Sequence, residues 1–183
     1  HLWVGVHFGS RGLGHKIASN VMSLAQGKNW GEKSHEIEAL LDLNSQLGQD
    51  YWGLMQLAGK FAYAGREWVT RKVVWMMGGT EADIVHNNHN FAWKENHFGK
   101  DLIVIRKGAT PAFPGQKGFV GGSMGDDAVI LQGALPLLDV ETNANITSLQ
   151  QAALYSTVHG AGRIMSRTEA AGKIHRKTGR VIK

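Results

Sequence analysis

A long amphipathic stretch from about Asp50 to Met77 constrains the fold of this chain more than any other feature. Its apolar residues recur at i, i+3, i+4, i+7 and i+8, the spacing of one helical face. These residues are Leu54, Leu57, Ala58, Phe61 and Ala62, followed by Val69, Val73 and Met76. The pair Gly78-Gly79 is typical of a helix end. The pattern therefore predicts one long helix.

The segments around this helix favour an α+β fold with mixed β-sheets and flanking helices, in one domain over residues 1–183. Residues 2–8 alternate between apolar and small residues, which predicts a strand ending at His7. Residues 16–26 have the apolar periodicity of a helix. Strands bounded by Gly or Pro turns are predicted at 82–93, 100–110, 117–125 and 127–135. Residues 148–158 fit either a helix or a strand, and a last helix is predicted from Gly162 to about Lys177.

Charge and cysteine usage limit the classes of function. The net charge is +5, but residues 173–183 hold five basic residues and no acid, so the charges balance elsewhere. Such a segment either holds RNA phosphates or is a solvated terminus. The chain has no cysteine, which excludes disulfides and thiolate ligands within it and favours a cytoplasmic protein. No apolar run is long enough to predict a membrane span.

The stretch "STVHGAGRIMSR" places His159 among residues with almost no side chain. Gly160 and Gly162 expose backbone N–H groups where a helix is predicted to begin, and such helix starts bind anions. Arg163 and Arg167 are four residues apart and share one helix face. His159 is therefore a candidate nucleophile, general base or metal ligand beside a phosphate. The alternative is a buried histidine that is hydrogen-bonded in a turn.

Three other stretches are weaker signals. "VHFGSRGLGH" leads from His7 through three glycines into a helix, and its Arg11 can hold a phosphate, although a plain glycine turn fits equally. "HNNHN" offers His86 and His89 to a metal, but in a strand they would point to opposite faces, so only one is expected at a given site. "VIRKGAT", with Arg106, and "GGSMG" suit either anion binding or turns.

Five stretches together resemble the RtcB-type RNA-splicing ligases, from about residue 2 to about residue 172. They are "HFGSRGLGH", "HN" at 89–90, "RKGAT", "GSMG" and "HGAGRIMSR", in the order seen in that family. The pattern "HGAGR.MSR" is a specific signal. The resemblance implies an RtcB-like fold of which this chain is the C-terminal catalytic part, incomplete at its N-terminus.

The resemblance implies a GTP- and Mn²⁺-dependent RNA ligase of tRNA splicing or RNA repair. Such ligases join an RNA 3′-phosphate or 2′,3′-cyclic phosphate end to a 5′-hydroxyl end. A histidine attacks the α-phosphorus of GTP and becomes guanylylated; GMP passes to the RNA 3′-phosphate, and the 5′-hydroxyl displaces it. The implied partners are RNA and GTP, with or without a helper protein, and no membrane is expected.

The resemblance also assigns roles to residues. His159 matches the guanylylated histidine, and His7 and His89 match metal ligands. The positions that match phosphate- or RNA-binding arginines are Arg11, Arg163 and Arg167. The positions that match nucleotide contacts are His89, Asn90, Gly121, Gly122, Ser123, Met124, Ala128, Gly160, Ala161 and Gly162.

The sequence departs from the family pattern in several places. Gly121 stands where the family has proline, Ala128 where it usually has serine, and Gly65 where it often has asparagine. The family's aspartate, metal-bridging cysteine and Gly-Asn-His-Phe motif are expected upstream of this chain, so its metal site is expected to be incomplete. Two alternatives stay open: a nucleotide- or RNA-binding fragment without ligase activity, and a metal-dependent phosphohydrolase that uses His7 and His89.

Overall fold

The chain combines two long helices with short paired strands, which confirms the predicted α+β class. A computed structural model of the chain describes residues 2–33, 39–122, 126–135, 148–160, 172–174 and 181–182. The chain divides into two compact units, residues 1–91 and residues 92–183. The first unit is built around the two helices and the second around the strands.

The first unit is held together by the packing of helix α1, Gly12–Ala25, against helix α2, Gln46–Met76. Its core is formed by buried side chains of both helices and by half-buried neighbours. These residues are Ile17, Val21 and Ala58, with Leu41, Leu47, Tyr51 and Leu54 packed against them. Ser45 caps α2, because its hydroxyl oxygen accepts a hydrogen bond from the N–H of Gly48. The helix ends at Met76, and Gly78 follows with a positive φ of 70°.

The long predicted helix is confirmed, but its buried face is narrower than the sequence suggested. Ala58 and Ala62 are buried, whereas Leu57 and Phe61 are 57% and 55% exposed. The buried line of α2 continues in steps of four from Ala62 to Arg66, which is also buried. Two alanines and an arginine thus occupy this line, while Leu57 and Phe61 beside it are exposed.

The predicted strand at residues 2–8 is wrong. These residues lie in neither helix nor strand, and among the described residues no strand pairs with them. Alternating side chains alone do not make a strand, because a strand needs a partner for its backbone hydrogen bonds.

The described strands form four two-stranded sheets, which lie in the second unit apart from residues 90–91. These strands are β1 Asn90–His97, β2 Lys100–Lys107, β3 Ala109–Pro111, β4 Lys117–Val120, β5 Val129–Gln132, β6 Ser156–Val158, β7 Lys173–Ile174 and β8 Val181–Ile182. They pair as β1–β2, β3–β6, β4–β5 and β7–β8. The turn between β1 and β2 is Phe98-Gly99, both with positive φ, as a two-residue hairpin turn requires. The other three pairs are antiparallel.

Several predicted boundaries change in this unit. The strand predicted at 82–93 begins only at Asn90, and residues 148–158 contain a helical segment, 148–152, followed by β6. The helix predicted from Gly162 to about Lys177 is wrong at its end, because residues 173–174 pair with β8. Residues 161–171 lie outside the described part. Neither helix in the described ranges has the length and apolarity to cross a bilayer.

Candidate functional site

Strand pairing sets the position of His159 in the second unit. Ala109 of β3 lies opposite Val158 of β6, so the next residues outward, Gly108 and His159, face each other across the pair. A Cβ added at Gly108 would lie 3.7 Å from His159 Nε2, which puts the imidazole directly against the glycine backbone. Gly108 has a φ of +70° and no side chain, so the ring of His159 is half-buried without being covered.

The residue after His159 contacts a third glycine-rich stretch. Gly160 has a φ of +76°, and a Cβ there would overlap Val120 Cγ1 and lie 3.0 Å from the carbonyl oxygen of Gly121. The chain therefore needs glycine at this position for two reasons, the backbone conformation and the close approach of β4. At Gly122, an added Cβ would lie 2.5 Å from the carbonyl oxygen of Asp127 and 2.8 Å from Asp126 Cβ, so this position leaves no room for a side chain.

Three motifs that are far apart in sequence thus meet at residues 159–160, with Gly108 against the imidazole and Gly121 against Gly160. "RKGAT" contributes Gly108, "GGSMG" contributes Gly121, and "HGAGR" contributes His159 and Gly160. A half-buried ring that borders a glycine backbone leaves space beside it for a substrate, and backbone N–H groups of glycine-rich stretches suit the oxygens of a phosphate.

A buried ion-pair network joins Glu95 of β1 and Arg106 of β2 to Ser156 of β6. Arg106 is only 2% exposed and forms a two-bond pair with Glu95, at 2.7 and 2.9 Å. Its remaining hydrogen bonds go to Ser156 Oγ and to the carbonyl oxygen of Leu154, both at 2.8 Å. His97 Nε2 donates to Glu95 at 2.7 Å, since an ionised carboxylate only accepts. Arg106 is therefore a structural residue, and the suggestion that it binds an external anion is wrong.

The network also supports a strained turn in front of β6. Leu154 and Tyr155 have φ values of +49° and +48°, a conformation that disfavours side chains with a Cβ. Arg106 binds the Leu154 carbonyl, and the Tyr155 ring stacks on Phe113 with 4.9 Å between centroids. Burial alone would raise the pKa of Glu95, but hydrogen bonds from Arg106 and His97 lower it overall. The carboxylate thus stays charged and keeps the turn in place.

In the first unit, the two histidines that were predicted as metal ligands meet. His7 Nε2 and His89 Nε2 are 2.8 Å apart, and the rings stand at 88° to each other with centroids 4.9 Å apart. His7 is exposed and His89 is half-buried. Eighty-two positions separate them in sequence, so this contact is produced entirely by the fold.

The geometry of this histidine pair fits two ligands of one metal ion. Bonds of about 2.1 Å from imidazole nitrogens, at a right angle, place the two nitrogens about 3.0 Å apart. The pair therefore needs to open by only a few tenths of an ångström to take an ion. Within the ranges that the structure describes, no third His, Asp or Glu completes a cluster with them.

His86 is not part of the pair. Its Nε2 accepts a hydrogen bond from Arg66 Nε at 2.7 Å, and its ring lies over Tyr63 with 3.8 Å between centroids. Burial, together with the charge of Arg66, lowers the pKa of His86 to about 4, against the opposing effect of Glu67. The expectation that only one of the two histidines serves a given site was argued from a strand, but neither lies in one; His89, and not His86, contacts His7.

The helix predicted at residues 16–26 forms but begins earlier, at Gly12, so Gly12 and Gly14 lie in its first turn rather than in a loop. Arg11 is exposed at the N-cap position of α1, with a φ of +56° that is rare for a residue with a side chain. Ser10 satisfies the start of the helix, because its Oγ accepts from the Gly14 N–H at 3.1 Å. Arg11 is left pointing to solvent at the positive end of α1, as a phosphate-binding side chain requires.

The remaining predicted residues fall into two groups. Asn90 and Ala128 are exposed, the first at the start of β1 and the second just before β5. The predicted residues outside the described part are Ser123, Met124, Ala161, Gly162, Arg163 and Arg167.

The sequence analysis missed Arg66, Glu95 and His97. A usable signal exists for Arg66, because an arginine four residues after Ala62 continues the buried line of α2. No comparable pattern marks Glu95 and His97, which lie on an alternating strand.

Comparison with known proteins gives a consistent result. The family model described as "tRNA-splicing ligase RtcB" matches residues 1–181. The chain is 31% identical to the RNA-splicing ligase RtcB of Escherichia coli K12, over 92% of this chain and 41% of that protein. It is 34% identical to the tRNA-splicing ligase RtcB of Archaeoglobus fulgidus, over 98% and 40%. The identity to that of Thermococcus kodakarensis is 32%, over 91% and 38%. The chain thus spans about two fifths of the length of these relatives.

Proposed function

The chain belongs to the RtcB family of tRNA-splicing ligases, and from this premise we propose that it carries the nucleotide-transferring histidine of an RNA ligase. The proposed reaction, in tRNA splicing or RNA repair, joins an RNA 3′-phosphate or 2′,3′-cyclic phosphate end to a 5′-hydroxyl end with GTP as the nucleotide substrate. One observation supports it above all. His159 is bordered by Gly108, while its neighbour Gly160 packs on Gly121, so three family motifs meet at the proposed nucleophile.

In the proposed sequence of steps, an imidazole nitrogen of His159 attacks the α-phosphorus of GTP. A nitrogen–phosphorus bond forms while the bond from that phosphorus to the bridging oxygen breaks, and pyrophosphate leaves. A 2′,3′-cyclic phosphate end is first opened by water, which breaks its bond to the 2′-oxygen and leaves a 3′-phosphate. GMP then passes to an oxygen of the RNA 3′-phosphate, and the nitrogen–phosphorus bond breaks to regenerate the imidazole. Finally the 5′-hydroxyl oxygen attacks the RNA phosphorus, and GMP leaves as the phosphodiester forms. The glycine backbone around His159 leaves room for phosphate oxygens to approach N–H groups in each step.

We further assign Mn²⁺ to the imidazoles of His7 and His89. A bound Mn²⁺ ion supplies charge neutralisation for phosphate groups. The 2.8 Å separation of the two nitrogens supports this assignment. Arg11, exposed at the start of α1, is the proposed phosphate contact of the first unit. The cytoplasmic location stays a prediction from the absence of cysteine.

Covalent labelling tests the nucleophile. The chain is incubated with Mn²⁺ and GTP labelled at the α-phosphorus, and protein-bound label is measured after denaturation. His159→Ala is expected to lose the label, whereas His15→Ala, an exposed histidine of α1, is expected to keep it. Label retained by His159→Ala at the level of the wild-type chain would refute the assignment of His159.

Two further readouts separate the alternatives. GTP binding by the wild-type chain without any covalent label would favour a nucleotide-binding module without ligase activity. Release of free phosphate from RNA ends without joining would favour a metal-dependent phosphohydrolase. Joining of a 3′-phosphate RNA to a 5′-hydroxyl RNA, abolished by His159→Ala, is the result expected for the ligase.

A further inference from the structure

The buried side chain of Arg66 makes hydrogen bonds to three other residues of the first unit. It is 8% exposed and projects from α2 with three short hydrogen bonds from three different nitrogens. Nε donates to His86 Nε2 at 2.7 Å, Nη1 donates to the carbonyl oxygen of Phe8 at 2.8 Å, and Nη2 donates to Asn88 Oδ1 at 2.7 Å. One guanidinium therefore joins a helix to two separate segments of the chain.

Those two segments are the ones that carry the histidine pair. Phe8 directly follows His7, and Asn88 directly precedes His89. Neither Phe8 nor Asn88 belongs to a helix or a strand, so neither is fixed by a regular ladder of backbone hydrogen bonds. The hydrogen bonds of Arg66 supply directional restraints one residue away from each imidazole.

The helix that carries Arg66 is a rigid base for these restraints. α2 runs for 31 residues without interruption. The residue before Arg66 also contacts the same segment, since a Cβ at Gly65 would lie 3.4 Å from the ring of Phe8. The guanidinium is planar, so its three nitrogens hold the acceptors at fixed angles, which a lysine ammonium cannot reproduce.

We propose that Arg66 is the positioning residue of the metal-binding pair and holds His7 and His89 edge to face through Phe8 and Asn88. This inference rests on the proposed function for the identity of the metal, but not for the geometry of the pair. Coulomb repulsion alone predicts the opposite effect of removing Arg66, because its positive charge repels a nearby cation. The two effects therefore have different signs and can be separated.

Substitutions in the 183-residue chain separate charge from geometry. Arg66→Lys keeps the positive charge but loses the planar guanidinium, and Arg66→Met loses both. Asn88→Ala removes one hydrogen-bond acceptor and leaves Arg66 in place. Arg71→Met is the matched control, because Arg71 lies on the same helix but bonds only to Glu67 and Glu81. Thermal unfolding shows which variants remain folded, and Asn88→Ala is the mildest of them.

Two measurements are made on each variant. Electron paramagnetic resonance of free Mn²⁺ gives the affinity for the metal alone, with Zn²⁺ calorimetry as a second probe because imidazole binds Zn²⁺ more tightly. Long-range ¹H–¹⁵N spectra of the metal-free chain give the tautomer and hydrogen bonding of the His7 and His89 rings. His7→Ala identifies the His7 ring signals and the affinity that belongs to the pair.

We expect Arg66→Lys, Arg66→Met and Asn88→Ala each to lower metal affinity about tenfold and to shift the ring signals of His7 and His89. Unchanged affinity in Arg66→Lys with raised affinity in Arg66→Met would overturn the proposal in favour of a purely electrostatic effect. Unchanged ring signals in Asn88→Ala and Arg66→Lys would also overturn it. If the wild-type chain binds neither metal, the metal assignment fails, while the ring signals still decide whether Arg66 positions the pair.

Discussion

The neutral state of His86 predicts a distinct pH dependence of stability. Its side chain is 14% exposed, and burial next to Arg66 lowers its pKa to about 4 in the folded chain. In the unfolded chain the pKa of histidine is about 6.5. The unfolded state therefore takes up a proton first as the pH falls, so the contribution of His86 is fully present above about pH 7 and is lost between about pH 6.5 and pH 4.

The size of this effect follows from the two pKa values. Each unit of difference corresponds to about 1.4 kcal/mol, so the whole shift amounts to at most about 3.4 kcal/mol. Between pH 7 and pH 5 the same linkage gives a loss of about 1.8 kcal/mol in the free energy of unfolding.

The assay compares the wild-type chain with His86→Gln in urea at pH 7, 6 and 5. Glutamine does not titrate, and its amide oxygen can still accept from Arg66. Other groups titrate equally in both proteins, so the difference between their unfolding free energies isolates His86. We expect this difference to shrink by about 1.8 kcal/mol from pH 7 to pH 5. A difference that stays constant over this range would refute the reasoning, because His86 would then titrate alike in both states.

Three other substitutions test features of the fold and the site. Gly160→Ala is expected to lower the free energy of unfolding in urea by about 2–4 kcal/mol and to reduce GMP labelling, because the new Cβ overlaps Val120. Gly27→Ala is the control, since Gly27 has a similar φ but no atom within 4 Å of the new Cβ, and it should cost only about 1 kcal/mol. Arg106→Met leaves the Glu95 carboxylate buried without its partner and should cost about 3–5 kcal/mol, measured by chemical unfolding at pH 7; a loss below 1 kcal/mol would contradict a buried pair. Ser45→Ala removes the cap of α2 and should lower the unfolding free energy by about 1 kcal/mol in the same measurement.

Local patterns were predicted well because local spacing produces them. The helical periodicity of both helices depends on neighbouring residues, and both helices form, although each begins four residues before its predicted start. The strand predicted at residues 2–8 failed for the complementary reason. Alternation describes one segment, whereas a strand also requires a second segment at the right distance.

The site itself depended on contacts between distant residues. The meeting of His7 with His89 was expected only through the family resemblance, because no local pattern joins positions 82 apart. The burial of Arg66 and Arg106 was likewise not predictable from local sequence. Arginine is mostly found at protein surfaces, so an arginine in a sequence is normally taken to be solvated or to bind a ligand. Both are buried here because each has acceptors on several segments that come together only in the folded chain.

The pairing of β3 with β6 has a consequence for the order in which the chain folds. Its three residue pairs join segments about 45 residues apart, whereas β1 and β2 are joined by a two-residue turn. Closing the longer loop loses more chain entropy before any contact forms, so non-local pairings form slowly. We therefore expect the β1–β2 hairpin to form first and the surroundings of His159 to form among the last events. The proposed nucleophile would then also be among the first parts of its unit to open, well before the hairpin separates.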